Sequence, residues 1–342
     1  MKEKWEIRKL VEVCEIVNGK NQKKVENKNG NYPIMGSGGQ MGYADDYLCP
    51  IGTIVLGRKG TINNPFIVKE NVWLVDTAFG FVADNSILNN RFLFYFCKSF
   101  DFTKLNVAVT IPSLRKIDLK KIPIPIPPLH IQEAIVKELD ILYRLKELQE
   151  RQIVEYDNLA QSTFYSMFGD PIENEKGWEV KKLGEVCEIV SGKNQKKVEN
   201  PKGVYPIMGS GGFMSFADDY LCPEGTVILG RKGTINRPFI VTEKVWMVDT
   251  AFGLVVNKSI LESLFLFYFC KEFDFLRLNV AVTIPSLRKI DIKKIDLPIP
   301  PLSLQNDFAE RIEKIEAQKE LVKQGIAETQ LLIDYTMDKY FG

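Results

Sequence analysis

The sequence predicts an α+β protein in which two repeated α/β domains are joined by two long antiparallel coiled-coil helices with pseudo-twofold symmetry. The first observation is a duplication: Trp5 recurs as Trp178, and the same offset of 173 residues holds without a gap to the last residue of 342. The second is that each copy begins with short apolar runs bounded by Gly, Pro and Asn, which is typical of strands. The third is that each copy ends in a long proline-free stretch with apolar residues at three- and four-residue spacing, which is typical of an amphipathic helix.

The two copies are most alike in their first parts. Residues 5–128 and 178–301 are about three quarters identical, whereas only about a quarter of the following residues match. We therefore expect a first domain at 1–128, a helix at 129–169, a second domain at 170–301 and a second helix at 302–342. The overall charge is +1, but it divides into +6 for 1–128, −4 for 129–170, +2 for 171–301 and −3 for 302–342. Mildly basic domains thus alternate with acidic connectors.

Within the first domain, apolar runs between turn residues predict strands at Gly52–Leu56, Pro65–Val68 and Trp73–Thr77. The run Phe92–Cys97 fits a buried helix or a strand, because its periodicity does not distinguish the two. Residues Ile122–Pro128 alternate with proline and must be extended, since proline blocks a helix there. Turns are predicted at Asn18–Gly19, Gly36–Gly39 and Lys59–Gly60.

The long helices carry an apolar seam with one lysine in each copy. The seam comprises Ile135, Leu139, Leu142 and Ile153, and then Phe308, Ile312, Ile315, Val322, Ile326 and Ile333. Lys146 and Lys319 lie on it at equivalent positions, where they either fix the register of the helix pair or extend to solvent at a frayed edge. Helices related by a twofold would pack antiparallel, with one domain at each end, and the start and end of the chain would lie close together.

Several classes of chemistry are excluded by composition. There is one histidine, His130, so histidine-based metal sites and catalytic triads are not expected. The six cysteines contain no CxxC and are expected to be buried apolar residues, not redox or metal sites. The phosphate-loop pattern does not occur, and Gly36–Met41 lacks the third glycine of a dinucleotide site. The pair Asp45–Asp46 fits a surface turn better than a metal site.

The chain also carries no sign of a membrane or secretory segment. No apolar run approaches the roughly 18 residues of a membrane span. The first residues are charged and lack the apolar stretch of a signal peptide. Since the six cysteines also fit neither a disulfide scaffold nor a zinc ribbon, we expect a cytoplasmic protein.

Basic and amide-rich loops that occur twice are the remaining functional candidates. Lys and Arg contact phosphates, Arg, Asn and Gln read purine edges, and the flanking glycines allow close approach of a partner. The alternative is that each loop is an ordinary solvated turn. The predicted DNA-binding residues are Lys20, Asn21, Gln22, Lys23, Lys24, Ser37, Gln40, Arg58, Lys59, Thr61 and Arg115, and in the second copy Lys193, Asn194, Gln195, Lys196, Lys197, Ser210, Arg231, Lys232, Thr234 and Arg288.

One segment carries a family resemblance. Thr110–Gln132, repeated as Thr283–Gln305, resembles the end of a target-recognition domain in specificity subunits of type I restriction-modification systems. Two such domains separated by helices are that family's whole plan, so the resemblance covers essentially the full chain. The family commonly has Glu-Gln after Pro-Pro-Leu-x, whereas Ile131–Gln132 stands here.

The resemblance implies a DNA reader without catalytic residues, metal or cofactor of its own. Each domain would read one half of a split double-stranded DNA target in the major groove, and the helices would fix the unread gap. Two methyltransferase subunits would bind S-adenosylmethionine and methylate adenine N6. Two restriction subunits are optional further partners that would use ATP and Mg²⁺. The alternative is the DNA-binding scaffold of a methylation-only complex without restriction activity.

Two readings from other classes are also open: an enzyme acting on nucleic acid, and a structural scaffold whose loops bind nothing. If the chain reads DNA, its near-identical domains predict a near-palindromic target. The half-sites would differ by a base only if the differing residues face DNA. Those residues are Gln40, Gly42, Tyr43 and Asn64 in the first copy and Phe213, Ser215, Phe216 and Arg237 in the second.

Overall fold

The structure, a computed structural model, describes residues 5–342; residues 1–4 of the predicted first domain and the charged start of the chain lie outside this range. The described residues form two compact units, one of residues 5–149 and 325–342 and the other of residues 150–324. Each unit combines one repeat of mixed strands and helices with segments of both long helices. The predicted α+β class and the duplication are confirmed.

The first domain consists of short strands arranged in three sheets. The strands are β1 (Glu6–Lys9), β2 (Cys14–Asn18), β3 (Tyr32–Gly36), β4 (Gly39–Ala44), β5 (Ile54–Gly57), β6 (Phe66–Ile67), β7 (Trp73–Leu74), β8 (Ala78–Ala83) and β9 (Pro123–Ile126). The helices are α1 (Leu10–Val13), α2 (Asn90–Ser99), α3 (Lys116–Leu119) and the long α4 (Leu129–Phe168), with a 3-10 turn at Phe102–Leu105. The sheet orders are β2-β8-β5-β6, β4-β3-β7 and β1-β9.

The second domain repeats this arrangement. Its strands are β10 (Glu179–Lys182), β11 (Cys187–Ser191), β12 (Tyr205–Gly209), β13 (Gly212–Ala217), β14 (Val227–Gly230), β15 (Phe239–Ile240), β16 (Trp246–Met247), β17 (Ala251–Val256) and β18 (Asp296–Ile299). Its helices are α5 (Leu183–Val186), α6 (Ser263–Glu272), α7 (Lys289–Lys293) and the long α8 (Leu302–Phe341), with a 3-10 turn at Phe275–Leu278. The sheet orders are β11-β17-β14-β15, β13-β12-β16 and β10-β18.

The predicted strands occur with altered bounds. Strand β5 is shifted toward the C-terminus relative to the prediction, and β6 is only two residues long. The predicted strand Trp73–Thr77 is wrong beyond Leu74, because the chain turns there: the N–H of Ala78 donates to the carbonyl of Val75, with 3.0 Å between N and O. This turn leads from β7 into β8.

The ambiguous run Phe92–Cys97 is helical, as part of α2. Asn89 marks its start, because its side-chain oxygen accepts from the N–H groups of Arg91 and Phe92 at 2.8 and 3.2 Å. Such a cap satisfies donors that a helix start leaves unpaired. The proline-rich segment is extended as predicted: β9 pairs with β1 alone, and a two-stranded sheet tolerates the missing N–H groups of proline.

A buried glutamine anchors the start of α4. Gln132 is fully buried, and its Oε1 accepts from the N–H of Asn89 at 2.8 Å. Its Nε2 donates to the carbonyls of Ile87 and Pro127, both at 2.8 Å. Ile131 stands where the family commonly has Glu, and this difference leaves the contacts of Gln132 intact. Gln305 makes the equivalent contacts at the start of α8.

Both long helices have 40 residues, which corresponds to about 60 Å. In the first unit, the hydroxyl of Thr329 donates to Oε1 of Gln149 at 3.0 Å and the hydroxyl of Tyr340 donates to Oε2 of Glu138 at 2.7 Å. Residue numbers of the paired side chains increase along α4 as they decrease along α8, so the paired segments run antiparallel. Trp5 stacks on Tyr340 with ring centres 6.2 Å apart, so the start of the described chain lies near its end within this unit.

The two seam lysines bond to the opposite helix. In the second unit, Lys319 is 9% exposed and its Nζ donates to Asp157 at 2.7 Å and to Glu316 at 2.9 Å. In the first unit, Nζ of Lys146 donates to Oε1 of Gln330 at 2.7 Å. Burial opposes the charge of Lys319, but the two carboxylates outweigh it and raise the pKa of this lysine. These contacts favour a role in helix register over a frayed edge.

The six cysteines are buried, as expected for apolar core residues. Burial raises the pKa of the Cys14 thiol to about 12, and the equivalent Cys187 has the same shift. Among the residues described, no helix has the length and apolar character needed to cross a membrane.

Candidate nucleic-acid interface

The turn between β7 and β8 is the point to which several predicted loops are attached. We call residues 74–78 the central segment. The N–H of Lys20 donates to the carbonyl of Leu74 at 2.8 Å, and the indole N–H of Trp73 donates to the carbonyl of Lys20 at 3.2 Å. The start of the loop at residues 19–25 is therefore held in place by backbone contacts, which leaves the Lys20 side chain exposed.

The rest of that loop is a locally stabilised turn. The side-chain oxygen of Asn21 accepts from the N–H of Lys23 at 2.9 Å. Lys23 and Lys24 are exposed, and Gln22 is half-buried. The lysines are thus presented to solvent by a defined turn, while the Asn21 oxygen is already engaged.

A second loop, residues 57–61, is attached to the same segment. The N–H of Arg58 donates to the carbonyl of Thr77 at 2.7 Å. A Cβ on Gly57 would lie 1.9 Å from the carbonyl oxygen of Thr61, so only glycine permits this tight loop. The guanidinium carbon of Arg58 lies 5.7 Å from the ring centre of Phe79, a cation–π distance that orients the half-buried side chain.

The turn between β3 and β4 adjoins this loop. The side chain of Ser37 approaches it so closely that a Cβ on Gly57 would lie 3.0 Å from the Cβ of Ser37. Gln40 follows the turn at the start of β4, opposite Met35, and is exposed. Ser37, Lys59 and Thr61 are thereby brought near the central segment, with Lys59 and Thr61 exposed.

Arg115 is connected to this group through the backbone. The N–H of Leu114 donates to the carbonyl of Arg58 at 2.9 Å. The Nε of Arg115, however, donates to Asp118 at 2.7 Å, so its guanidinium is already paired at the start of α3. Arg288 pairs with Asp291 in the same way. Both arginines are therefore weaker candidates for base contacts than the sequence indicates.

The second domain builds the same group of loops. The N–H of Lys193 donates to the carbonyl of Met247 at 2.8 Å, and the N–H of Arg231 donates to the carbonyl of Thr250 at 2.7 Å. The guanidinium of Arg231 also lies 5.7 Å from the ring of its aromatic neighbour, Phe252. The other predicted residues occupy the equivalent loops: Asn194, Gln195, Lys196, Lys197, Ser210, Lys232 and Thr234.

The domains differ on the exposed hairpin beside this group. Gln40 and Tyr43 of the first domain are replaced by Phe213 and Phe216, whose rings meet edge to face at 5.1 Å. Phe213 is 58% exposed and Tyr43 is 44% exposed, so these differing aromatic residues face solvent. Asn64 and Arg237 are exposed as well. The hairpin can therefore offer different contacts to a ligand in the two domains.

Sequence reasoning missed two features of this surface. Asp76, at the middle of the central segment, is exposed. The loop after Asn106, whose side-chain oxygen accepts from the N–H groups of Ala108 and Ser113, exposes Val109 completely and Ile111 by 62%. The alternating apolar residues there could have been noticed, whereas the place of Asp76 depends on contacts distant in sequence.

The arrangement offers cations for phosphates and amide, guanidinium and apolar groups for base edges. Within residues 5–342, no cluster of His, Cys, Asp or Glu could hold a metal ion. The carboxylate of Asp45 instead accepts from the side-chain amide of Asn27 at 2.9 Å, and Asp46 accepts from the N–H of Tyr47. This pair is the surface turn that the sequence predicts.

The fold and its duplicated loops define a class of protein with two mixed α+β domains, each followed by a long helix and each carrying the same basic surface. A family model described as the type I restriction modification DNA specificity domain matches residues 2–156 and again residues 175–330. The chain belongs to this family, as the resemblance of Thr110–Gln132 indicates.

Known relatives match most of the chain. A protein of Haemophilus influenzae named as a type I restriction enzyme specificity subunit is 26% identical over 369 aligned positions, covering 97% of this chain and 92% of the relative. The MjaVIII specificity subunit of Methanocaldococcus jannaschii is 27% identical over 310 positions, covering 78% and 69%.

Solved structures share the fold. The S subunit of a type I restriction-modification system from M. genitalium matches with a TM-score of 0.67 at 18% identity, covering 99% of this chain and 96% of that one. A chain from a study of complex assembly in the type I R-M system matches with a TM-score of 0.64 at 18% identity, covering 100% and 98%.

Proposed function

We propose that this specificity subunit is a non-catalytic reader of a bipartite double-stranded DNA target, with one half-site read by each domain. The observation that carries the proposal is the repetition of the same basic loops around the central segment of both domains. Lys20 and Lys59 supply exposed charges, and Arg58 supplies an oriented guanidinium with no acidic partner among the described residues. Phosphate contacts would position the domain and base contacts would give specificity.

The two half-sites are near copies of each other in opposite orientation. Support comes from the loops, which keep the same residues and the same backbone hydrogen bonds in both domains. The hairpin residues are the exception: an amide at Gln40 suits adenine, whereas an aromatic ring at Phe213 suits the methyl group of thymine. We therefore expect half-sites that differ at no more than about one base pair, with the long helices setting the gap.

The partners are two methyltransferase subunits, which bind S-adenosylmethionine and methylate adenine N6, and, in a restricting complex, two restriction subunits that use ATP and Mg²⁺. Support comes from the family and from the likeness to a chain studied for assembly of the type I R-M system. The complex is purified from the cytoplasmic fraction of the native host. Co-purification of a nuclease subunit would indicate a restricting complex, and a complex without one would indicate the methylation-only alternative.

The test is DNA binding by the complex with its methyltransferase subunits, measured at several salt concentrations because phosphate contacts are salt-dependent. We expect tight binding to the host target, weaker binding to unrelated duplex, and weak binding by the isolated chain. Charge reversal, Arg58→Glu with Arg231→Glu, should abolish specific binding while subunit assembly is retained. Unchanged binding would remove both arginines from the interface.

The same preparation tests the two rivals. Methyl transfer or nicking by the chain alone would indicate an enzyme, and assembly without any DNA binding would indicate a structural scaffold. Either result would overturn the proposal.

A further inference from the structure

We propose that Asp76 and Asp249 are specificity-determining residues, each accepting a hydrogen bond from a base amino group, cytosine N4 or adenine N6, in the major groove. This inference rests on the proposed DNA-reading function. It assigns a role to an acidic residue without a charged partner, in a surface composed mainly of cations and neutral groups.

The position of Asp76 is fixed by its neighbours in the central segment. The N–H of the preceding residue, Val75, donates to the carbonyl of Met35 at 3.0 Å. The carbonyl of the following residue, Thr77, accepts from the N–H groups of Arg58 and Lys59 at 2.7 and 3.3 Å. Asp76 therefore lies between two anchored residues, at the meeting point of the predicted DNA-contacting loops. A side chain on so constrained a backbone is well suited to reading a base.

The Asp76 carboxylate accepts no hydrogen bond from the part of the domain that the structure describes. Every other aspartate of residues 5–128 has a side-chain hydrogen bond: Asp45 with Asn27, Asp46 with Tyr47, Asp84 with Ser86, Asp101 with Thr103 and Asp118 with Arg115. Asp76 is exposed and has no such partner among the described residues. In the second domain Asp249 is likewise exposed, and the aspartates around it are bonded. Neither carboxylate forms an ion pair among residues 5–342, although the N–H groups of Arg58 and Arg231 donate to the adjoining residues. The guanidinium of Arg231 donates to the backbone carbonyl of Asp249 at 3.5 Å and not to its carboxylate.

A free carboxylate at this place has an electrostatic cost for DNA binding, because it repels phosphates. It also repels the acceptor groups of guanine and thymine, whereas it attracts the amino groups that only cytosine and adenine present in the major groove. A carboxylate here would therefore reject wrong bases as well as bind the right one. Arg58 beside it has the opposite preference, for the O6 and N7 acceptors of guanine.

The test replaces both carboxylates by the isosteric amide, Asp76→Asn with Asp249→Asn, in the complex with methyltransferase subunits. Binding is measured to the host target, to each single-base-pair variant of it and to unrelated duplex. The matched control is Glu70→Gln with Glu243→Gln, which removes the same charge from exposed equivalent positions of the two domains.

We expect the amide variant to bind unrelated duplex as tightly as the wild type or more tightly, but to lose on the order of tenfold discrimination at one base pair of each half-site. That pair should carry cytosine or adenine on the strand read, and the variant panel shows which of the two. Asp76→Asn alone should relax one half-site and Asp249→Asn alone the other. The control should keep full discrimination.

Equal changes in affinity for the target and for all its single-base-pair variants would overturn the inference, because the carboxylate would then act only as a charge. Unchanged binding of every duplex would overturn it as well. A wild-type complex without sequence preference would instead refute the proposed function, so the two failures are distinguishable.

Discussion

Replacing Arg58 and Arg231 by glutamine separates base reading from phosphate binding. The guanidinium of Arg58 is held over Phe79 at 5.7 Å, its backbone N–H is bonded to Thr77, and no acidic side chain pairs with it among residues 5–342. Such an oriented and unpaired guanidinium is suited to a bidentate contact with guanine.

The expected loss of discrimination between target and unrelated DNA follows from the number of base contacts removed. A good bidentate base contact contributes about 1–3 kcal/mol of discrimination, so two contribute about 2–6 kcal/mol. That range corresponds to a loss of about 30-fold to 10⁴-fold in the ratio of specific to non-specific affinity. Unrelated duplex should be affected much less.

The matched comparison is Lys59→Gln with Lys232→Gln. These neighbouring lysines are exposed, and their backbone is fixed by the same segment. If they contact phosphates, the slope of log K against log salt should become shallower by about 1.8, with discrimination unchanged. Fluorescence anisotropy of labelled duplexes at three or more salt concentrations measures both quantities. If the arginine variant lost affinity equally for all duplexes, the assignment of Arg58 to base reading would be refuted.

Of three further predictions, two concern the scaffold and one the interface loop at Gly57. Gln132→Leu should lower the free energy of unfolding by about 2–4 kcal/mol in denaturant titration, because it leaves three backbone groups unpaired, one buried and two partly buried, while exposed Gln152→Leu should change it little. Gly57→Ala should weaken DNA binding without unfolding, since its Cβ would meet Thr61, whereas Gly38→Ala meets nothing within 4 Å and should bind normally. Disrupting the Lys319 contact by Asp157→Ala should cost about 1 kcal/mol at pH 7. Because the folded pKa of Lys319 is raised above 10.5, that difference should stay constant from pH 7 up to about pH 10 and disappear as pH rises past this raised pKa.

The scaffold was largely predictable because its signals are local. The spacing of Ile135 and Leu139 indicates a helix face, and the alternating prolines of β9 force an extended segment wherever the domain places it. The run Phe92–Cys97 was ambiguous because it is apolar on every face, and its helix is identified by the cap at Asn89, outside the run.

The interface was predictable by residue type but not by geometry. Basic loops were recognisable because Arg58 and its neighbours recur at Arg231. The central position of Asp76 depends on backbone hydrogen bonds to loops near residues 20, 35 and 58, which no local pattern reveals. The reverse holds for Arg115: its nearby partner Asp118 is visible in the sequence, yet only the geometry shows that the pair forms at 2.7 Å.

The central claim is that two near-identical domains read two near-identical half-sites. Methylation sequencing of the host genome, with and without the gene for this chain, tests it most directly. The account predicts an adenine-methylated motif that disappears with the gene and consists of two half-sites in opposite orientation, alike except at one base pair at most, around an unspecified gap. A continuous motif, or two half-sites of unrelated sequence, would contradict it.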